Sequence, residues 1–266
     1  MKIDILSDLH LDFWVKPNNN TKTKRLIQVL DDLLDSSEYT EVLIVAGDIS
    51  HYPIQMELLD KIAEIYNYKK IFCVLGNHDL YLVSNTQKST YKNSIQKQQD
   101  YYNYKSDIVA ILDGDIIEYK GIKFGGAMGW YDGSYLNRSS LSREDNIGLW
   151  KRVMNDSVYI KGYKDFYEIF EIEESKIQNI LTADIVITHV CPLSQSSAFQ
   201  EKYRYELSNM FYAFDGEKYL EKTKAKFWVY GHSHGNYSFN VHDTLCVMNT
   251  LGYPSEKDRQ KMTIEI

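Results

Sequence analysis

Several things are scarce in this chain. Proline and glycine are few, 4 and 14 among 266 residues. No Pro- or Gly-rich stretch marks a linker between domains, so the chain reads as one domain over 1–266. The three cysteines, Cys73, Cys191 and Cys246, are widely spaced and form no C-x-x-C pair. That excludes a thiolate metal cluster and a disulfide framework and leaves reduced, buried thiols. No stretch approaches the roughly 18 apolar residues of a membrane span. Met1 to Leu6 carries no long apolar run of the signal-peptide kind, and a cytoplasmic location without membrane partners is expected. Basic residues do not predominate: the formal net charge is −7, which argues against a broad nucleic-acid footprint.

What is present is a series of apolar runs, each ending in polar residues. Lys2 to Leu6 leads into Ser7-Asp8-Leu9-His10, and Val42 to Ala46 stops at Gly47-Asp48. Ile71 to Leu75 stops at Gly76-Asn77-His78-Asp79. Ile185 to Thr188 ends at His189, and Phe227 to Tyr230 at Gly231-His232-Ser233-His234. Continuous apolar runs suit strands buried on both faces. Between the first three lie helical patterns, Lys24 to Leu34 and a stretch after Pro53 carrying Ile54, Leu58, Ile62 and Ile65. Strand and helix alternate, as in parallel pairing with crossover helices.

Further on, a polar surface helix or loop is expected over 84–106. Strands follow at Ile108 to Leu112, Ile116 to Tyr119 and Ile122 to Gly126, with Lys120-Gly121 as a hairpin turn. Residues 129–175 are irregular and read as an insertion or cap with its own helices. Tyr237 to Val241, Leu245 to Met248 and Met262 to Ile266 make the second half rich in strands.

Ligand sites in open α/β sheets lie beyond the carboxyl ends of strands. Five such ends at one edge would gather carboxylates, imidazoles and an amide. In extended chain, residues i and i+2 face the same side, so Asp8-x-His10 and His232-x-His234 each aim two donors into one space. Oxygen and imidazole donors without thiolate suit Mn, Fe or Zn. Seven donors exceed one ion's needs, and two ions sharing a carboxylate are the natural count. Asp8 and Asp48 taken singly would pass for turn formers or helix caps; that reading leaves Asn77 and the strand-ending histidines unexplained.

The ordered set Asp8-x-His10, Gly47-Asp48, Gly76-Asn77-His78-Asp79, His189 and Gly231-His232-x-His234 resembles the calcineurin-like metallophosphoesterase family. The resemblance implies a four-layer αββα sandwich of two mixed β-sheets flanked by helices, with the metal site at the strand C-terminal ends. It also implies a divalent-metal phosphoesterase acting on a phosphate mono- or diester. In that scheme Asp8, His10 and His234 hold one metal and Asn77, His189 and His232 the other, with Asp48 shared. A hydroxide bridging the metals attacks phosphorus, His78 contacts the phosphate and protonates the leaving oxygen, and Asp79 orients His78. One departure stands out: His51 occupies a place where many members carry an acidic or amide residue.

The expected partner is a phosphorylated small molecule or nucleotide. Trp130 is the aromatic residue expected to reach the substrate. Arg138, Arg143 and Arg152 read as a solvated, charged loop before a second phosphate site. The alternatives are a nuclease acting on strand ends, with Trp130 and Trp150 stacking on bases, and a binding scaffold whose metal site has decayed. His242, next to Asp243, reads as a turn residue.

Overall fold

A computed structural model describes all residues except 16–19, 35–39, 136–140, 196–197 and 199–203. Pro17, Asn18, Asn19 and Arg138 therefore lie outside the described residues. The strands are β1 (Lys2–Leu6), β2 (Thr40–Ala46), β3 (Lys70–Val74), β4 (Val109–Ile111), β5 (Asp115–Tyr119) and β6 (Ile122–Gly126). They continue with β7 (Ile185–Ile187), β8 (Phe227–Tyr230), β9 (Asn236–Val241), β10 (Thr244–Asn249) and β11 (Thr263–Glu265). The helices are α1 (Leu11–Trp14), α2 (Asn20–Leu33), α3 (Glu57–Tyr66), α4 (Asn85–Thr90) and α5 (Ser94–Tyr102). After them come α6 (Arg143–Val153), α7 (Asp156–Tyr159), α8 (Phe166–Ile180) and α9 (Glu217–Leu220).

Two mixed sheets result. One runs β11-β1-β2-β3-β4 and the other β5-β6-β7-β8-β10-β9. In the first, β1 through β4 are parallel and β11 is antiparallel to β1. In the second, β6, β7, β8 and β10 are parallel, with antiparallel β5 and β9 at the edges.

Alternation along the strands decides the layering. In β2, Val42, Ile44 and Ala46 point between the sheets, where they meet Phe72, Phe124, Ile185 and Val229. Leu43 and Val45 point the other way, onto α2 and α3. The outer face of the second sheet is covered by α8 and its neighbours through Ile169, Ile177, Ile180 and Trp228. Helices thus flank a pair of sheets packed on each other, as the sequence implies. The three cysteines are buried and unpaired. Among the described residues, no helix is long and apolar enough to cross a membrane.

One local reading needs correction. After Pro53 comes a 3-10 turn over Pro53–Met56, and only then α3. Its buried face is Leu59, Ile62, Ala63 and Tyr66 with Met56 before it, whereas Ile54 and Ile65 are 75% and 56% exposed. The change from 3-10 to α geometry rotates the apolar stripe, which a single 3.6 period cannot follow. Residues 84–106 fold as two short helices, each opened by a side-chain cap, Ser84 for α4 and Asn93 for α5. The segment 129–175 holds α6, α7 and the start of α8, with Trp130, Tyr131, Trp150 and Phe166 inside the main core.

Candidate metal centre

The carboxyl ends of β1, β2, β3, β7 and β8 open onto one place. Asp8, His10, Asp48, Asn77, His189 and His232 are all buried, and His234 and His78 are half-buried at the rim. Three overlapping groups bring one donor atom per residue within 4.8 Å of one another: Asp8, His10 and His234; His10, Asp48 and His78; Asp8, Asp48 and His189.

The convergence is not achieved by extended chain. Asp8, His10, Asp48, His232 and His234 all have positive φ, between 43° and 72°. The strands have ended at Leu6, Ala46 and Tyr230, and left-handed turns aim the donors. Non-glycine residues rarely adopt this conformation, and at functional sites the surrounding structure holds it in place. The i, i+2 alternation expected for the two D-x-H and H-x-H pieces is therefore corrected to consecutive tight turns. Backbone amides fasten them: His232 N–H donates to Asp8 Oδ1 at 3.0 Å and His78 N–H to Asp48 Oδ1 at 2.8 Å.

Glycine is required beside these turns. Gly47 has φ +84°, and a Cβ there would lie 2.4 Å from His189 Nδ1. Gly47→Ala should destabilise the fold by roughly 2–4 kcal/mol, combining left-handed strain with overpacking. The shift in the denaturant midpoint measures it.

The outer partners of each imidazole leave a specific nitrogen for the cluster. His189 Nδ1 meets the Ala46 carbonyl at 2.9 Å, so its Nε2 faces Asn77 Oδ1 at 3.0 Å and Asp48 Oδ1 at 3.4 Å. His234 Nδ1 meets Glu256 at 2.8 Å, and its Nε2 faces His10 Nε2 at 3.1 Å and Asp8 Oδ1 at 3.6 Å. His232 Nε2 meets the Phe211 carbonyl at 3.0 Å. His10 Nε2 lies 3.7 Å from Asp48 Oδ2, and its buried Nδ1 has no partner among the described residues.

A neutral ring that gives its N–H outward turns a lone pair inward, against oxygen lone pairs. Such an array calls for positive charge at its centre. Burial opposes a charge on His189, yet Asp48 and Asp8 raise its pKa to about 9. Burial and the neighbouring His189 push His232 down to about 4, and burial likewise holds His10 well below the ordinary range. Imidazole nitrogens and carboxylate or amide oxygens, oriented from behind by carbonyls and a carboxylate, match a divalent transition-metal donor set.

Two outer contacts support the donors. Asp156, fully buried in α7, accepts from Asn77 Nδ2 at 2.8 Å, from Tyr131 at 2.6 Å and from Tyr81. It thereby turns Asn77 Oδ1 toward His189. His51 bridges Asp12 and His78, with Nδ1 2.9 Å from Asp12 Oδ2 and Nε2 3.0 Å from His78 Nδ1. Burial resists the charge on Asp12, but the bond to His51 holds its carboxyl below the usual carboxylate range. The D-x-H-x-D spacing of Asp8, His10 and Asp12 is the one sequence hint of this pair.

Two expected residues stand elsewhere. Asp79 accepts from the backbone N–H groups of Gly76, Ser50 and Ile49 at 2.7, 2.9 and 3.3 Å. It braces the loops after β2 and β3, and the partner of the His78 ring is His51. Trp130 is fully buried in the core and lines neither cavity at the site; its apolar ring is absorbed in packing against Tyr131. Arg143 stacks on Tyr167 and pairs with Asp165 and Glu171, while Arg152 is exposed. His242 occupies the β9–β10 turn with φ 50°.

Comparison with known proteins agrees with this architecture. An uncharacterized protein of Acanthamoeba polyphaga mimivirus is 24% identical over 266 residues, spanning 95% of this chain and 91% of the viral one. An uncharacterized protein of Methanocaldococcus jannaschii is 40% identical over 42 residues, 16% of this chain and 19% of that one. The crystal structure of phosphopantetheinyl hydrolase from Mycobacterium tuberculosis shares the fold, with TM-score 0.66 at 17% identity over 95% of this chain and 90% of that one. The family model described as calcineurin-like phosphoesterase matches residues 1–236, across every strand end that contributes a donor, and the chain belongs to that family.

Proposed function

We propose that this protein is a divalent-metal-dependent phosphoesterase that hydrolyses mono- or diesters of small phosphorylated molecules. The observation that carries the reading is the inward orientation of the His189 and His234 Nε2 atoms onto Asp8, Asp48 and Asn77, both rings fixed from behind by an outer partner. Asp8, His10 and His234 would hold one cation, Asn77, His189 and His232 a second, and Asp48 both. Bound there, the ions, of Mn, Fe or Zn type, would supply Lewis acidity toward phosphoryl oxygens and a lowered pKa for the attacking water.

The chain's own groups do the rest. His78 lines the cavity beside Asp48 and Asn77. With Nδ1 engaged by His51, its Nε2 is left to give a proton to the departing alcohol. Asp12, through His51, fixes the plane of that ring. Asp156 keeps the Asn77 amide oriented. Replacing Asp156 by Asn turns one acceptor oxygen into an NH2, set either against Tyr81 and the Asn77 amide or against Tyr131. It should weaken manganese binding by about 10–100-fold, read by calorimetric titration.

The cavity over the donor cluster holds about 500 Å³, and no lysine or arginine is among the described residues that line it. That supports a small ester over a nucleic-acid strand, whose phosphates need basic contacts. The test compares an aryl phosphate monoester with an aryl phosphate diester, with manganese and with a chelator. Manganese-dependent turnover of one of them, abolished by chelation, is expected. No turnover of either with Mn, Fe or Zn contradicts the reading.

A further inference from the structure

His78 stands on the boundary of two cavities. The inner one, over the donor cluster, is bordered by Asp48, Asn77, His232 and His234. The outer one holds about 540 Å³ and is walled by Phe13, Tyr81, Val83, Tyr159, Tyr253 and Pro254. His78, Tyr81, Asn155 and Tyr253 border both, so the two spaces adjoin at the His78 ring.

The outer cavity is lined differently from the inner one. Among the described residues that line it, none is Lys, Arg, Asp or Glu; His51 and His78 are its titratable imidazoles. Phe13, Tyr159 and Tyr253 are partly exposed and present ring surface to this cavity. Their rings are already set at angles to one another. Phe13 meets Tyr253 edge to face at 4.9 Å, and Tyr159 is tilted 37° to Tyr81 at 5.3 Å. Tyr81 in turn stacks on His78 at 4.4 Å and on His51 at 5.7 Å. The walls thus offer π faces and edges with no charge to match.

The order of atoms in a phosphate ester then fixes what occupies this space. Phosphorus belongs at the donor cluster and the leaving oxygen at His78. The group carried by that oxygen continues beyond His78, into the outer cavity. We propose that the substrate is a phosphate ester whose leaving alcohol bears a flat, uncharged aromatic or heteroaromatic group, seated among Phe13, Tyr159 and Tyr253. The proposal rests on the phosphoesterase reading above and narrows its substrate class. A leaving group with further phosphates would place anionic charge where the lining offers no ammonium or guanidinium group.

The test must separate stacking from leaving-group reactivity. Phenyl and hexafluoroisopropyl phosphates serve, because phenol and hexafluoroisopropanol are of similar acidity and only one is aromatic. Each is assayed as the monoester and as the methyl diester, with manganese. The wild-type protein should prefer the phenyl ester in kcat/KM by about tenfold or more. Phe13→Ala and Tyr159→Ala should each draw that ratio toward one. Phe13→Leu, which keeps most of the apolar volume, should do the same if Phe13→Ala fails to fold. Equal kcat/KM for the two esters in the wild type, or a ratio unchanged in all folded variants, overturns the proposal. Failure of every ester to react is a different result: it removes the phosphoesterase reading itself and the proposal with it.

Discussion

His78→Ala should leave the metal content intact and lower kcat for esters of poorly acidic alcohols by about 10²–10⁴-fold, the usual contribution of a positioned proton donor. Nitrophenyl esters, whose leaving group needs no proton, should lose far less. The reasoning is geometric. His78 is half-buried at the cavity rim, its backbone N–H is tied to Asp48, and its ring nitrogen Nδ1 is held 3.0 Å from His51. Burial, with the His51 and His189 rings nearby, depresses its pKa, and Asp48 and Asp156 partly restore it. Normal turnover of a poor-leaving-group ester by the variant would remove His78 from the role of acid.

Asp48→Asn should cost more. The carboxylate is buried, with His10 and His189 on opposite oxygens. Burial opposes its charge, but His189 and its neighbours hold Asp48 well below the usual carboxylate range. An amide keeps the shape and discards the charge that would offset two cations. The variant should bind at most one ion tightly and lose about 10³-fold or more in kcat, several kcal/mol of transition-state stabilisation. Metal analysis and turnover on one preparation check both. Retention of full turnover would contradict a shared carboxylate at this position.

The contrast between these residues and their supports explains what was legible in the sequence. β1, β2, β3, β7 and β8 announce themselves as apolar runs, and their donors follow each run within four residues. Both facts are local, so these strands and the donor set could be read without coordinates, whereas the pairing into two sheets came from the family resemblance. The supports are not local. Asp156 lies 79 residues from Asn77, and Glu256 lies 22 residues from His234. Nothing in Asn155-Asp156-Ser157 separates it from a helix start. Asp79 illustrates the converse: adjacency to His78 suggested a partner, but its oxygens are consumed by backbone N–H groups. Trp130 drew notice by its place after Gly125-Gly126-Ala127-Met128-Gly129, yet it is packed in the core. The left-handed backbone of Asp8, His10, Asp48, His232 and His234 is likewise a property of the assembled edge. No residue-type rule gives a positive φ to aspartate or histidine at five such places.

The central claim, that these strand ends enclose a pair of cations, is tested most directly by metal analysis of the purified protein after saturation with manganese and removal of free ion. The account predicts about two ions per chain. Less than one would contradict it and leave a fold without its chemistry.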